Sequence, residues 1–215
     1  MDDFIIELEW SEDYTLMQRM CRDIFNICPS LVTNQPRTDY FKKHFERNDA
    51  FYRARMWTKV RIGQIMHLPE YNEWQRLIPK FHLVSDIMFF VTCPEITPIF
   101  VPHRHPAPSP DWHAGALMLP LIGTDERSIT KYTHWHDPED NRYIDSYNYM
   151  KSRPESSEIP DEEVAVEYCL HEKPAIFNRH QFHQVVNPTD HWRVVAHIPY
   201  DTESWDDCKK FALIK

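Results

Sequence analysis

A chain of 215 residues with 42 % hydrophobic residues and seven tryptophans is long enough for one domain with a substantial core. Its net charge of −9 and its lack of a clustered basic stretch argue against nucleic-acid binding, which needs basic surface to displace counterions. Three glycines against seventeen prolines leave no phosphate-cradling glycine loop, and no apolar run approaches the length that crosses a bilayer.

In chain order, Tyr14, Met17, Met20, Cys21, Ile24 and Cys28 recur at steps of three and four, which predicts an amphipathic helix over 12–28. Ser11 stands at the cap position, Glu12 and Asp13 follow it, and Pro29 ends the helix. Weaker helical patterns cover 39–47 and 70–81, the second with Trp74, Leu77 and Ile78 on one side. From residue 82 the period changes. Runs rich in β-branched and aromatic residues at 82–91, 97–103, 115–122 and 128–135 predict short strands bounded by Pro, Gly or Asp. The polar stretch 137–163, with prolines at 138, 154 and 160, reads as a long surface loop or lid. Further strands follow at 164–171, 174–178, 183–187 and 192–199. There is no internal repeat. The expectation is a single domain over 1–215, mainly β with N-terminal helices. A mostly helical part, 1–81, packs on a jelly-roll core, 82–215, of the double-stranded β-helix, cupin-like kind.

The start, Met1-Asp-Asp-Phe, lacks the basic and apolar regions of a signal peptide. The five cysteines are scattered, odd in number and without a Cys-x-x-Cys, which fits reduced thiols and a cytoplasmic protein. The expected partner is a small-molecule or peptide substrate, with no nucleic acid and no membrane. The oligomeric state is not legible.

The chemistry concentrates in histidines and one arginine. In His103-Arg-His105 the period of a strand turns both rings to one face, and imidazole is a common ligand of iron, zinc and copper. His183 opens a strand far downstream and can close a three-point face on a metal. Arg193 lies ten positions further on. The break at 188–191 is expected to fold its strand back beside that of His183, with the guanidinium deeper in the same barrel. A buried guanidinium needs a partner, either a bound dicarboxylate or a protein carboxylate. His134 and His136 repeat the His-x-His spacing, but Asp137-Pro138 follows at once and suggests a strand end near solvent. His180 belongs to a turn, and Asn187 either orients the histidine segment or caps a turn.

These residues, in this order, resemble the 2-oxoglutarate/iron(II) oxygenase superfamily, in particular its aspartyl/asparaginyl hydroxylase-like and prolyl hydroxylase-like members, small viral and bacterial ones included. The resemblance covers 82–200. It rests on Pro102-His103-Arg-His105, on Ala116-Leu-Met-Leu-Pro-Leu121 with Thr130-Lys-Tyr-Thr-His-Trp135, and on Pro174-Ala-Ile-Phe-Asn, His183-Gln-Val-Val-Asn187 and Arg193. It implies iron(II) held by His103 and His183, and 2-oxoglutarate gripped at its distal carboxylate by Arg193. Tyr132, Trp135 and Asn187 complete the implied co-substrate set. Members usually carry His-x-Asp or His-x-Glu, whereas here His105 stands in the acid's place. The third ligand is then His105 itself, Asp111 or water, or the site is degenerate. Val195 stands where many relatives place a hydroxyl residue.

The implied function is a 2-oxoglutarate- and Fe(II)-dependent oxygenase that hydroxylates a peptide, amino acid or small metabolite, with 137–163 as a substrate lid. Two alternatives stay open. One is a cupin-type metal enzyme that uses His103, His105 and His183 without 2-oxoglutarate. The other is a catalytically inactive jelly-roll that serves as a structural or interaction protein.

Overall fold

A computed structural model describes residues 2–27, 56–61, 66–92, 104, 113–135, 159–191 and 193–213. They are mainly β. The elements are β1 (Ile5–Glu7), α1 (Glu12–Ile27), β2 (Met56–Arg61), α2 (Tyr71–Lys80), β3 (Asp86–Thr92), β4 (Gly115–Ile122) and β5 (Ile129–Thr133). A short 3-10 turn (Asp161–Glu163) precedes β6 (Val164–Cys169), β7 (Ala175–Asn178), β8 (Phe182–Val186), β9 (Arg193–Pro199) and α3 (Trp205–Phe211).

The predicted first helix forms as its pattern requires. The Ser11 hydroxyl accepts from the Tyr14 backbone N–H at 3.2 Å, and Glu12 and Asp13 sit in the first turn, where the helix dipole favours negative charge. Met17, Met20, Cys21 and Ile24 are buried on one face. α2 buries Trp74 and Leu77, and Asp13 ties the two helices together through Arg76, at 3.0 Å, and Lys80.

All strand pairs are antiparallel. A six-stranded sheet runs β1-β7-β4-β9-β3-β2 and a three-stranded sheet runs β6-β5-β8. The period of two sorts the large sheet's side chains into two cores. Leu117, Leu119 and Leu121 of β4, with Val194, Ala196 and Ile198 of β9, pack under the helices. Ala116, Met118, Phe177 and Val195 turn the other way and meet Tyr132, Tyr168 and Leu170, so the second core lies between the two sheets. β4 carries a register shift between Pro120 and Ile122 against β9, as a central strand with a proline requires. α1 takes the carbonyls there: Gln18 donates to Pro120 O at 2.6 Å and Arg22 to Leu121 O at 3.1 Å.

Three expectations need correction, and one element was not predicted. The mostly helical N-terminal part does not only pack on the sheets, because its strands β1 and β2 supply both edges of the large one. α3 carries too short an apolar pattern to be read from sequence, yet Ser204 caps it by accepting from Asp207 N at 3.2 Å. The stretch 137–163 is not all surface loop. Ile159 is buried against the outer side of the small sheet, its N–H bonds Gln184 Oε1 at 3.0 Å, and Lys131 reaches Asp161 at 2.8 Å. Finally, β8 and β9 do not pair: β8 bonds β5, and β9 bonds β3 and β4. The break after His183 carries the chain across from one sheet to the other. The predicted helix 39–47, the strand 97–103, the Pro29 stop and most of the lid lie outside the described residues.

Candidate functional site

The site is built from facing positions on the two sheets. Tyr132 of β5 pairs with His183 of β8, so the two share a face, with ring centroids 5.5 Å apart. Tyr132 belongs to the inter-sheet core, which sets that face inward. His183 Nδ1 lies 2.8 Å from the carbonyl oxygen of Gln181. A carbonyl only accepts, so Nδ1 carries the proton and Nε2 the lone pair, the form in which histidine binds a metal.

Tyr132 is fully buried, and its hydroxyl has no hydrogen-bond partner. Burial pushes its acidity well out of the ordinary phenol range. Thr130, two residues back along β5, points to the same face, and its buried hydroxyl also lacks a partner. Arg193 opens β9 on the face it shares with Val195. It is 3 % exposed, its Nε has no partner, and no ion pair reaches it among the described residues. Burial pulls its guanidinium down to about 10, opposed by the nearby Cys169 thiol. An unpaired buried cation costs several kcal/mol, on the order of a protein's whole net stability. This arrangement can receive an anion. A carboxylate would answer the guanidinium.

The other predicted residues fall as follows. His103, His105 and Asp111 lie outside the described residues, as does His136 of the rival pair. Among the described residues no three His, Cys, Asp or Glu side chains are grouped to hold a metal. Trp135 does not line the inter-sheet face. It packs on Phe182, centroids 4.9 Å apart, with Ile159 and Val164 on the outer side of the small sheet, because it follows Thr133 in the strand's alternation. Asn187 is fully buried in the turn after β8, where it accepts from the hydroxyls of Ser128 (2.9 Å) and Thr189 (2.8 Å). Of its two expected roles it fills the turn-holding one. His134 is exposed and meets Phe4 edge-on at 4.9 Å, and the His180 N–H bonds Asn178 Oδ1 in a turn. Sequence reasoning missed Thr130, although its spacing from Tyr132 on a predicted strand was the signal available.

No family model matches the chain, and no curated protein matches it. Solved structures align with most of its length at low identity. SnoK, a non-heme alpha ketoglutarate dependent carbocyclase from nogalamycin biosynthesis, aligns at TM-score 0.48 and 12 % identity over 90 % of this chain and 78 % of its own. AviO1 from Streptomyces viridochromogenes Tue57 aligns at 0.47 and 12 %, over 94 % of this chain and 90 % of its own. A Pseudomonas putida prolyl-4-hydroxylase aligns at 0.44 and 10 %, over 91 % and 90 %. At these scores the likenesses assign neither a detailed topology nor an activity to this chain.

Proposed function

We propose that the two sheets are the halves of a double-stranded β-helix and that the chain is a 2-oxoglutarate- and iron(II)-dependent oxygenase. Its substrate is a peptide, an amino acid or a small metabolite. The observation that carries the reading is Arg193, a buried guanidinium without a carboxylate partner among the described residues, on the sheet face turned toward the small sheet that holds Tyr132 and Thr130. Orphaned donors of this kind fit the distal carboxylate of a dicarboxylic keto acid. The strand order supports the fold reading, since it places β8 and β9 in opposite sheets with their alternating faces turned inward.

In this reading Arg193, Tyr132 and Thr130 hold the far carboxylate, and His183 holds iron together with His103. The third ligand is His105, Asp111 or water. The iron and keto acid, when bound, supply the oxidative chemistry. The protein orients them and keeps water away. Gln181 fixes the His183 tautomer, and Met118, Phe177 and Val195 make an apolar wall around the carboxylate subsite, where low dielectric strengthens the guanidinium's grip. Cys21, Cys169 and Cys208 are free thiols, which supports action in the reducing cytoplasm.

The test is anaerobic calorimetry, iron(II) first and then 2-oxoglutarate, followed by aerobic conversion of 2-oxoglutarate to succinate. Arg193→Ala is expected to weaken 2-oxoglutarate binding by about a hundredfold and to leave iron binding unchanged. Equal 2-oxoglutarate binding in wild type and variant overturns the reading. Iron binding indifferent to 2-oxoglutarate points instead to the cupin-type enzyme, and no iron binding to the non-catalytic jelly-roll.

A further inference from the structure

The crossing from β8 to β9 is held by a buried polar network that a simple sheet-to-sheet turn does not need. Asn187 follows the last residue of β8, and Arg193 is the first of β9. Between them, Asn187 Oδ1 accepts from Ser128 Oγ at 2.9 Å and from Thr189 Oγ1 at 2.8 Å. The single Thr189 hydroxyl proton is shared between that oxygen and the His191 carbonyl at 3.0 Å, and Asn187 Nδ2 donates to the same carbonyl at 3.4 Å. Ser128, Asn187 and Thr189 each have no exposed surface.

Neighbouring turns are tied to this knot. His191 Nε2 lies 3.3 Å from Asp125, which Arg127 holds at 2.7 Å. The Cys169 thiol donates to the Asp125 carbonyl at 2.9 Å, and His171 Nδ1 sits 2.8 Å from the Thr124 carbonyl. Three turns, 124–128, 169–171 and 187–191, thus converge where β9 begins. Arg193 is at this end too, as the first residue of β9 and two positions after His191.

We infer that Asn187, with Ser128 and Thr189, is a positioning residue for Arg193. This rests on the reading of Arg193 as the carboxylate anchor. A two-pronged guanidinium–carboxylate pair tolerates about half an ångström of misplacement, and among the described residues no carboxylate pairs with Arg193 and its Nε has no partner. Its position must therefore come from its backbone, and that backbone leaves directly from the knot. Satisfied buried networks rigidify what they tie, whereas an apolar turn would cross between the sheets without fixing register so tightly. The side chain has to be an amide. Its oxygen has two lone pairs for two hydroxyls, and its nitrogen a proton for the His191 carbonyl. An aspartate would lose that donor and bury a charge.

The experiment compares Thr189→Val, Ser128→Ala and Thr189→Ser with wild type, each confirmed folded by thermal melting. Iron(II) and 2-oxoglutarate affinities are measured separately under anaerobic calorimetry. Thr189→Val, which keeps the shape and removes the hydroxyl, and Ser128→Ala are each expected to weaken 2-oxoglutarate by about tenfold with iron affinity unchanged, and Thr189→Ser to restore it. Folded variants that bind 2-oxoglutarate as wild type overturn the inference. So does equal loss of iron and 2-oxoglutarate, the mark of a general structural role. If wild type and Arg193→Ala bind 2-oxoglutarate alike, the anchor reading has failed, and this inference falls with it.

Discussion

Along β9, Val194, Ala196 and Ile198 turn toward the helices, while Arg193, Val195 and His197 turn toward the small sheet. The helix side holds Met17, Met20, Ile24, Trp74, Leu77 and Phe89, all 0–1 % exposed. It does contain orphaned polar atoms, namely Tyr14 Oη, Trp74 Nε1 and Tyr200 Oη. Each is neutral, and each sits at the tip of a side chain whose bulk is apolar. An unsatisfied neutral group of this kind costs about 1–3 kcal/mol, which the burial of a large ring offsets. The facing side instead buries a cation with no counter-charge among the described residues. One strand thus serves two ends: its even-numbered residues stabilise the fold, while Arg193 weakens it, a cost that the proposed reading explains by an anion bound beside it.

The sharpest way to separate the two faces is to cut each. Leu119→Ala, on the helix side, is expected to cost about 3 kcal/mol in urea unfolding, since Leu119 is completely buried and its neighbours come from both helix and sheet. Its affinity for 2-oxoglutarate should be that of wild type. A change in affinity would show that the two faces are coupled through the strand.

The opposite outcome is expected across the sheet. Arg193→Met keeps the length of the side chain and removes the charge, and it should stabilise the ligand-free protein by about 2 kcal/mol while abolishing 2-oxoglutarate binding. The sign follows from linkage. The guanidinium is pulled down to about 10 in the folded protein, so above that pH the unfolded chain binds more protons than the folded one. Wild-type stability therefore gains as pH rises through that value, and at neutral pH the charged group counts against the fold in full. A destabilised Arg193→Met would mean that the cation already has a partner and would erase the contrast.

The strand pattern was legible because alternation is local. The runs at 115–122, 128–135, 164–171 and 174–178 each matched a strand to within a few residues. The helix over 12–28 was legible for the same reason, with Ser11 marking its start. Sheet membership was not. Nothing in Pro188 to His191 says whether the chain hairpins back or crosses over, because that is decided by which faces remain to be buried after β5 has paired with β8. For this reason Arg193 is expected beside the strand of His183, whereas it lies buried at the start of β9, which pairs with β3 and β4. Trp135 was misplaced because one residue of parity separates the inner face from the outer. The Ser128–Asn187–Thr189 knot was invisible because Ser128 is distant in sequence from the other two, and small polar residues near turns look alike until the turns meet.

The helix layer shows how the same molecule handles charge when a partner is at hand. Asp13 bonds Arg76 at 3.0 Å and also Lys80, at a helix-helix contact open to solvent on one side. The hydrogen bond from Lys80 holds its carboxyl below the ordinary 3.8, slight burial opposes this, and Arg76 adds to the lowering. With partners this exposed, Asp13→Asn is expected to cost only about 0.5–1 kcal/mol. A folded value below the unfolded one means that the contribution is complete above the ordinary carboxyl value and is lost as pH falls through the folded value. Urea midpoints of wild type and Asp13→Asn should therefore differ at neutral pH and converge in acid. Removing a paired, solvent-facing charge gives a small loss of stability, whereas removing the unpaired, buried Arg193 gives a larger gain. If the Asp13 variant proved as costly as Leu119→Ala, charge on the helix side would be structural, and Arg193 would no longer stand apart as a group kept for a ligand.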